Sequence, residues 1–395
     1  MNILVLSHMY PNRLNSTYGI FIHQLNRHIH KKGIKLHVIS PVPWTLQILR
    51  YFRKKWDYYY NIPLHDEIEE IEVNYPRYFI PPQGWLFQYS GVFMYRGLKN
   101  LIQNKTFDLI HAHVALPDGY TAYLIKNNFD IPFIVTVHGQ DLQVTLYKNK
   151  SCKKSLKKIF DSAERITLVS SKLKDLLIEH FGHASKSEVI PNGFDPNDIA
   201  IRGDDLKKIY GHKLILLSVS NLINTKGIDL NIKAVKELKN KFRNFKYLII
   251  GDGPQKSYLK KLVQQYGLTE YVEFLGRLPY KEVMKYMSVA DIFSLPSWQE
   301  GFGVVYIEAM AHGLSVIGVE GEGIQDVIKN WENGVLVKPK DVNSLVRALE
   351  ILFFNPQRRK FLGENAKKEV FRNYTWDKIA ERYIEIYREV KNANK

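Results

Sequence analysis

Short β-branched runs alternate with longer amphipathic stretches along most of this chain, and that rhythm leaves few folds open. It predicts strand and helix units wound around parallel sheets. In the first half the candidate strands are Asn2–Ser7, Lys35–Ser40, Asp108–His113, Pro132–His138, Arg165–Ser170 and Glu188–Pro191, with helical patterns such as Phe21–Lys31 between them. A second series runs Lys213–Ser220, Phe245–Ile250, Tyr271–Leu275, Asp291–Leu295, Leu314–Val319 and Gly334–Val337. Between them the turn formers Pro191, Asn192, Gly193, Phe194, Asp195 and Pro196 suit an interdomain linker. From Asp341 onward the pattern is helical, broken at Pro356 and at Asn373–Trp376. The expected organisation is an α/β chain with one domain over 1–196, a second over 197–375, and a last helix, 376–395, crossing back to complete the first.

A length of 395 residues, 45% of them hydrophobic, agrees with two domains of ordinary size rather than one core. The single cysteine, Cys152, excludes an internal disulfide, and no repeated Cys and His spacing announces a structural zinc site. The opening Met1–Ser7 lacks a basic leader and reads as a strand, and no apolar run reaches the roughly 20 residues a spanning helix needs. The expectation is a cytoplasmic protein, soluble or peripheral to the inner face of a membrane. The net charge of +16 raises the question of an anionic partner. Residues 1–197 hold 24 basic and 16 acidic side chains and the remainder 32 and 24, so the excess is shared evenly. A nucleic-acid binder concentrates its charge on one stripe or arm, so none is expected as partner. The aromatic and basic segment of Trp44, Leu46, Ile48, Leu49, Arg50, Tyr51, Phe52, Arg53, Lys54, Lys55 and Trp56 fits either peripheral contact with an anionic membrane or a basic helix packed on its own domain.

The most informative segment runs from Pro296 to Gly313, after a strand and into a helix. Its carboxylates Glu300 and Glu308 reach separate parts of one ligand, while Gly301 and Gly303 let backbone amides approach an anion at a helix N-terminus. Helix capping by Glu300 and an incidental Glu308 is the plainer alternative. Upstream, Val219–Gly227 also follows a strand and opens a helix, with Lys226 placed to face a pyrophosphate. Gly251, Asp252, Gly253, Pro254 form a further glycine turn, with Lys256 where a dinucleotide fingerprint needs its third glycine.

With seven residues between them, Glu300 and Glu308 resemble the signature of glycosyltransferase family 4, and the surrounding residues match as well. The resemblance extends from the first strand to Tyr374, Thr375, Trp376. It implies the GT-B fold, two Rossmann-like domains facing a central cleft, the first (1–196, with 376–395) binding the acceptor and the second (197–375) the donor, and retaining sugar transfer from a nucleotide-diphosphate sugar such as a UDP- or GDP-sugar. It places Glu300 against the donor sugar, Glu308 on the ribose hydroxyls, and Gly301, Phe302 and Gly303 beside sugar and phosphate. Lys226 faces the leaving phosphate, but Asn221 stands where the family usually has arginine. Gly251, Gly253, Arg277 and Leu278 fall beside the nucleotide, and Gly19 borders donor phosphate and acceptor. His138, at the end of a first-domain strand, is the main catalytic candidate with Lys226 and Glu300; His113 and Asp141 are candidates on the acceptor side. His111 and His113 alternate as metal ligands do, but with no evident third ligand neither metal nor other cofactor is expected. The segments Gly19–Gln24 and Ile39–Trp44 resemble further the branch that builds teichuronic acid and related surface polysaccharides, which implies a saccharide or lipid-linked acceptor.

In such a transfer positive charge builds at the anomeric carbon and negative charge on the departing phosphate, so donors preorganised around the pyrophosphate dominate. Glu300 then positions and stabilises, although a covalent intermediate on a carboxylate stays open. The rivals are a sugar-nucleotide epimerase or disaccharide phosphorylase of the same plan and a basic, non-enzymatic anion-binding protein. The last leaves both glutamates and the glycine turns without a task.

Overall fold

The computed structural model describes residues 1–44, 51, 54–80 and 86–394. It divides into two units, Met1–Asn192 with Trp376–Lys395 and Gly193–Thr375. The first break falls just before the predicted turn cluster is complete, because Phe194 already belongs to the second unit: its N–H donates to the Tyr374 carbonyl at 3.0 Å and its ring meets Phe371 edge-on. The entry and exit of that unit are thereby tied side by side.

The first unit contains β1 (Asn2–Leu6), β2 (Lys35–Ile39), β3 (Val42–Pro43), β4 (His65–Ile68), β5 (Ile71–Asn74), β6 (Arg77–Tyr78), β7 (Leu109–His113), β8 (Phe133–Val137), β9 (Arg165–Leu168) and β10 (Ser187–Val189). Eight of them form one sheet in the order β10-β9-β8-β7-β1-β2-β5-β4, parallel except for the edge pair β4 and β5, while β3 and β6 pair separately. Helices cover both faces of a parallel sheet, so its central strands are buried throughout: every residue of β7 and of β8 is inaccessible. That explains the unbroken apolar runs, and it makes the polar residues inside them costly unless paired. His111 sits on β7 level with Val5 of β1 and Ile134 of β8. Its Nδ1 is 2.7 Å from the Tyr387 hydroxyl and its Nε2 2.7 Å from the Thr136 hydroxyl. Tyr383 reaches Thr136 and Thr167 at 3.2 and 3.4 Å. Both tyrosines belong to the last helix, Trp376–Ala393, whose buried stripe Trp376, Ile379, Ala380, Tyr383 and Tyr387 repeats at helical spacing. This helix packs in the core of the first unit, beside helix Ile20–Lys31.

The second unit has β11 (Leu214–Val219), β12 (Phe245–Ile250), β13 (Val272–Gly276), β14 (Ile292–Ser294), β15 (Ser315–Val319) and β16 (Val335–Val337), all parallel, in the order β13-β12-β11-β14-β15-β16. A buried amide holds the centre: Asn231 Nδ2 donates to the Ser218 hydroxyl, the Tyr247 hydroxyl and the Ser294 carbonyl at 3.0–3.1 Å, and its Oδ1 accepts from the Ser294 hydroxyl at 2.7 Å. These bonds join β11, β12 and β14 just below the C-terminal ends of β11 and β14, and open sheets of this kind carry their ligands at the C-terminal ends of the strands.

Candidate active site

In the second unit the loops after β11, β12, β14 and β15 are packed backbone against backbone. Gly251 has φ of +134°, and a Cβ there would lie 1.8 Å from the Ser220 carbonyl oxygen; a Cβ on Gly253 would lie 2.5 Å from that of Leu222. The turn is closed by its own side chains as well, since Asp252 accepts from the Gly253 amide at 2.8 Å and from Lys256 at 2.7 Å. Gly251 and Gly253 are thus accounted for by loop packing, and the Gly253 amide is already engaged. The turn that follows β14 is different. Gly303, φ +83°, stands at the N-terminus of helix Val304–Ala311, and among the described residues the amides of Gly301, Phe302 and Gly303 donate to no protein acceptor. Three successive free amides at a helix N-terminus form a cradle for an anion. The Phe302 ring itself is buried, roughly parallel to Tyr374, so only its backbone is available to a ligand.

Lys226, on the turn Asn224–Lys226 before helix Ile228–Leu238, donates from Nζ to Glu300 Oε2, and both side chains are largely buried, 18% and 14% exposed. One of the three donor positions of the ammonium is used, which leaves the group aimed and still able to bind an oxyanion. Glu308 lies one to two turns into the helix. The Tyr280 hydroxyl lies 2.9 Å from Glu308 and 3.2 Å from Asp198. Burial pushes the Glu308 carboxyl up to about 7, the Tyr280 contact opposing and Asp198 adding to the shift. Asn221 is exposed and its side chain bonds to no described residue; Arg277 is exposed beside Asp252, and Leu278 is half-buried. Glu322, not singled out in the sequence, is 7% exposed and accepts the Glu300 amide at 2.8 Å. Its only local signal is a carboxylate between Gly321 and Gly323 just after a strand.

In the first unit Gly19 has φ +68° and lies so close to Met9 that a Cβ would fall 2.3 Å from its carbonyl oxygen, which fixes the start of helix Ile20–Lys31 against the loop after β1. His138 follows β8, its ring stacked on His113 with the His113 Nδ1 to His138 Nε2 distance at 3.2 Å, and Phe21 meets it edge-on. Burial lowers His138 to about 3 and, with its histidine neighbours, lowers His113 well below the usual range, so both rings are neutral at physiological pH. Asp141 is wholly buried and accepts the amides of Ala115 and Leu116 at 3.0 and 3.2 Å, which makes it a clamp on that turn. Burial pushes its carboxyl up to about 6. A second buried carboxylate, Asp118, holds the amide of His8 at 3.0 Å and its Nδ1 at 2.8 Å, a pairing between residues 110 apart in sequence that no local pattern announces. Among the described residues no group of three or more His, Cys, Asp or Glu stands where it would share a metal ion, and no helix is long and apolar enough to cross a membrane. Of the basic aromatic segment, residues 45–50, 52 and 53 lie outside the described residues.

Two units built on largely parallel sheets, with a lysine–glutamate pair and an anion cradle at the strand ends of the second, define an α/β protein with a candidate anion-binding site in that unit. Sequence comparison agrees. The family described as Glycosyltransferase Family 4 matches residues 19–198, and the one described as Glycosyl transferases group 1 matches residues 204–369. An uncharacterized glycosyltransferase of Methanocaldococcus jannaschii is 29% identical over 352 residues, covering 88% of this chain and 95% of that protein. TuaC of Bacillus subtilis, assigned to teichuronic acid biosynthesis as a glycosyltransferase, is 29% identical over 359 residues, covering 88% of each. Among solved structures, sucrose-phosphate synthase of Thermosynechococcus elongatus superposes with a TM-score of 0.83 at 20% identity over 100% of both chains. HepE of Anabaena in complex with UDP gives 0.76 at 17% identity, over 98% of this chain and 100% of that one. The fold is GT-B, and the chain belongs to glycosyltransferase family 4.

Proposed function

We propose that this glycosyltransferase moves a sugar from a nucleotide-diphosphate sugar to a saccharide or lipid-linked saccharide acceptor, with retention of anomeric configuration and without a metal, in the assembly of a surface polysaccharide. The observation that carries the reading is the Lys226–Glu300 pair beside the unengaged amides of Gly301, Phe302 and Gly303. The acceptor oxygen bonds to the anomeric carbon as the bond from that carbon to the leaving phosphate oxygen breaks. The acceptor proton passes to a phosphate oxygen on the same face. Lys226 and the amide cradle stabilise the charge growing on that phosphate, where fixed donors contribute most. Glu300 aims the ammonium and holds the donor sugar, and Glu308 takes the ribose hydroxyls, which requires them to displace or share Tyr280. In the first unit neutral His138 is assigned a hydrogen-bonding role, not that of a cation.

A UDP complex of a fold neighbour and the likeness to TuaC support the donor class and the polysaccharide context. Exposed Trp44 and Tyr51 support peripheral contact with an anionic membrane at its inner, cytoplasmic face. The deciding experiment incubates the protein with a panel of UDP- and GDP-sugars, with and without chelator, and detects released nucleotide diphosphate. Slow release without acceptor and retained activity in chelator are expected. Absence of release across the panel refutes the donor assignment, and loss in chelator restored by magnesium or manganese refutes the metal-free step.

A further inference from the structure

The second unit carries a separate cavity of about 260 Å³ at the opposite edge of its sheet from the Lys226–Glu300 turn, where Leu214 opens β11, Asn244 precedes β12 and Asp291 precedes β14. That volume falls just below the range of about 300–1,000 Å³ that takes drug-sized ligands, so it suits a smaller molecule. Two opposite charges face it. Asp291 uses Oδ2 to accept the Ile215 amide at 2.8 Å. Arg359, near the start of helix Pro356–Asn373, uses Nη1 to donate to the carbonyls of Leu352 and Phe353. Each feels the other's charge, yet the two form no ion pair. Asp291 Oδ1 and the Nε and Nη2 of Arg359 bond to no described residue, and none of the three is sealed from the cavity. Burial raises the Asp291 carboxyl and lowers the Arg359 guanidinium, so the fold bears the desolvation of both charges without the close contact that would offset it. Phe354, 53% exposed, completes the wall, and its ring meets Phe242 edge-on at 5.4 Å.

We propose that this cavity binds a free α-amino acid with an apolar side chain, its ammonium on Asp291 Oδ1, its carboxylate on the Nε–Nη2 edge of Arg359 and its side chain against Phe354 and Phe242. An α-amino acid carries both charges on one carbon, so a single small molecule meets two groups that do not pair with each other. The unengaged edge of the guanidinium is the one that takes a carboxylate through two parallel hydrogen bonds. A phosphate or a simple carboxylate satisfies Arg359 and is repelled by Asp291, and an amine has the reverse fault. A nucleobase edge offers only neutral donors and acceptors, whose bonds are weaker than charge-assisted ones, and leaves both charges uncompensated. The exposed Phe354 ring supplies the apolar surface for the side chain. None of the residues assigned to the donor takes part, so the site stands apart from the transfer reaction proposed above.

The test is isothermal titration of the full chain with L-phenylalanine and L-leucine, each set beside the amine and the acid that lack one of its charges: 2-phenylethylamine and 3-phenylpropionate for the first, isopentylamine and 4-methylpentanoate for the second. Guanosine serves as the flat heterocycle. At least one amino acid is expected to bind, and each of its one-charge analogues should bind about tenfold or more weakly. Its dissociation constant should rise about tenfold or more in Asp291→Asn, which keeps an acceptor for the Ile215 amide, and in Arg359→Lys, which keeps the cation and loses the fork. Phe354→Ala should weaken it several-fold, and an unchanged melting temperature in that variant, altered at an exposed position, separates loss of binding from loss of fold. Saturating UDP should leave amino-acid binding in place. Binding of neither amino acid, a one-charge analogue that binds as tightly as its parent, binding indifferent to all three substitutions, guanosine binding in place of both amino acids, or displacement by UDP overturns the proposal. Failure of the protein to bind UDP counts against the donor reading alone, and amino-acid binding weakened by the three substitutions supports the cavity assignment in either case.

Discussion

The backbone N–H of Glu300 donates to the carboxylate of Glu322 at 2.8 Å, so the residue that aims Lys226 is itself held by a second, nearly buried carboxylate. The turn after β14 is thereby anchored to the loop after β15, where Gly323 approaches the Gly301 carbonyl so closely that a Cβ would lie 2.0 Å from it. Glu322→Ala removes the acceptor and leaves a largely buried amide unmade, a loss of about 1–3 kcal/mol. Because the displaced turn carries Glu300, turnover is expected to fall roughly tenfold or more. Glu322→Gln keeps a carbonyl acceptor and should recover most of that rate. Equal losses in the two variants, in steady-state kinetics with a donor from the screen, would show that charge and not the bond to Glu300 matters.

Lys226 is the cation next to the amide cradle, and Asn221, at the usual arginine position, supplies no charge. An amide replaces a hydrogen bond but not a guanidinium's bidentate, charge-assisted contact. The attraction of Lys226 grows as the phosphate gains charge, so Lys226→Ala should lower kcat more than it weakens donor binding, by roughly 100-fold if about 3 kcal/mol of transition-state stabilisation is lost. Asn221→Ala should cost far less, and Asn221→Arg should tighten nucleotide-diphosphate binding and partly rescue Lys226→Ala. A kcat for Lys226→Ala within about threefold of the parent, a difference below 1 kcal/mol, would remove Lys226 from the mechanism.

The buried polar residues of the first sheet make a stability prediction. Tyr387→Phe leaves His111 Nδ1 without its partner in a layer that water does not reach. Burial already lowers His111 to about 3, so the ring stays neutral and the lost bond is not recovered by protonation. An unmade buried hydrogen bond costs about 1–3 kcal/mol. In a unit of this size each kcal/mol lowers the melting temperature by about 2–4 °C. Calorimetry should show the drop in the transition of the first unit, and an unchanged melting profile would contradict the role given to Tyr387.

The strands were the most legible part of the chain because burial on both faces forces continuous apolar runs; Phe245–Ile250 is read from the sequence to the residue. The hairpin of β4 and β5 was not, since Asp66, Glu67, Glu69, Glu70 and Glu72 obscure the alternation. Asp66 is tolerated in the interior because Arg13 binds it at 2.8 Å, a partner 53 residues away. The Lys226–Glu300 pair was foreseeable, because both residues stand on loops at the C-terminal ends of neighbouring strands. Glu322 and the His8–Asp118 pair were not, for one acts through a backbone amide and the other joins residues with no shared local motif. The resemblance sets Gly251 and Gly253 beside the nucleotide, and a glycine turn in sequence does not show that both also close against the loop after β11.

Glu308 links the donor site to pH. Its carboxyl, raised by burial to about 7 from the ordinary 4.5, is half-protonated near neutrality, and the groups facing it are Tyr280 and Asp198. Ribose hydroxyls donate more strongly to a carboxylate than to a carboxylic acid. Nucleotide affinity is therefore expected to fall as pH drops from about 8 to 6 through that raised value. His138, lowered to about 3, does not titrate in this window. For stability the sign is opposite: the folded state holds a proton on Glu308 that the unfolded state releases above about 4.5, so this residue makes the second unit less stable as pH rises towards 7. Glu308→Gln removes the titration. Isothermal titration of a nucleotide diphosphate against the parent and Glu308→Gln should show a pH-dependent affinity for the first and a flatter, weaker one for the second. Chemical denaturation across pH 5–8 should show Glu308→Gln gaining stability relative to the parent at the alkaline end. Parallel affinity profiles for the two proteins would mean that Glu308 does not bind the nucleotide as a carboxylate.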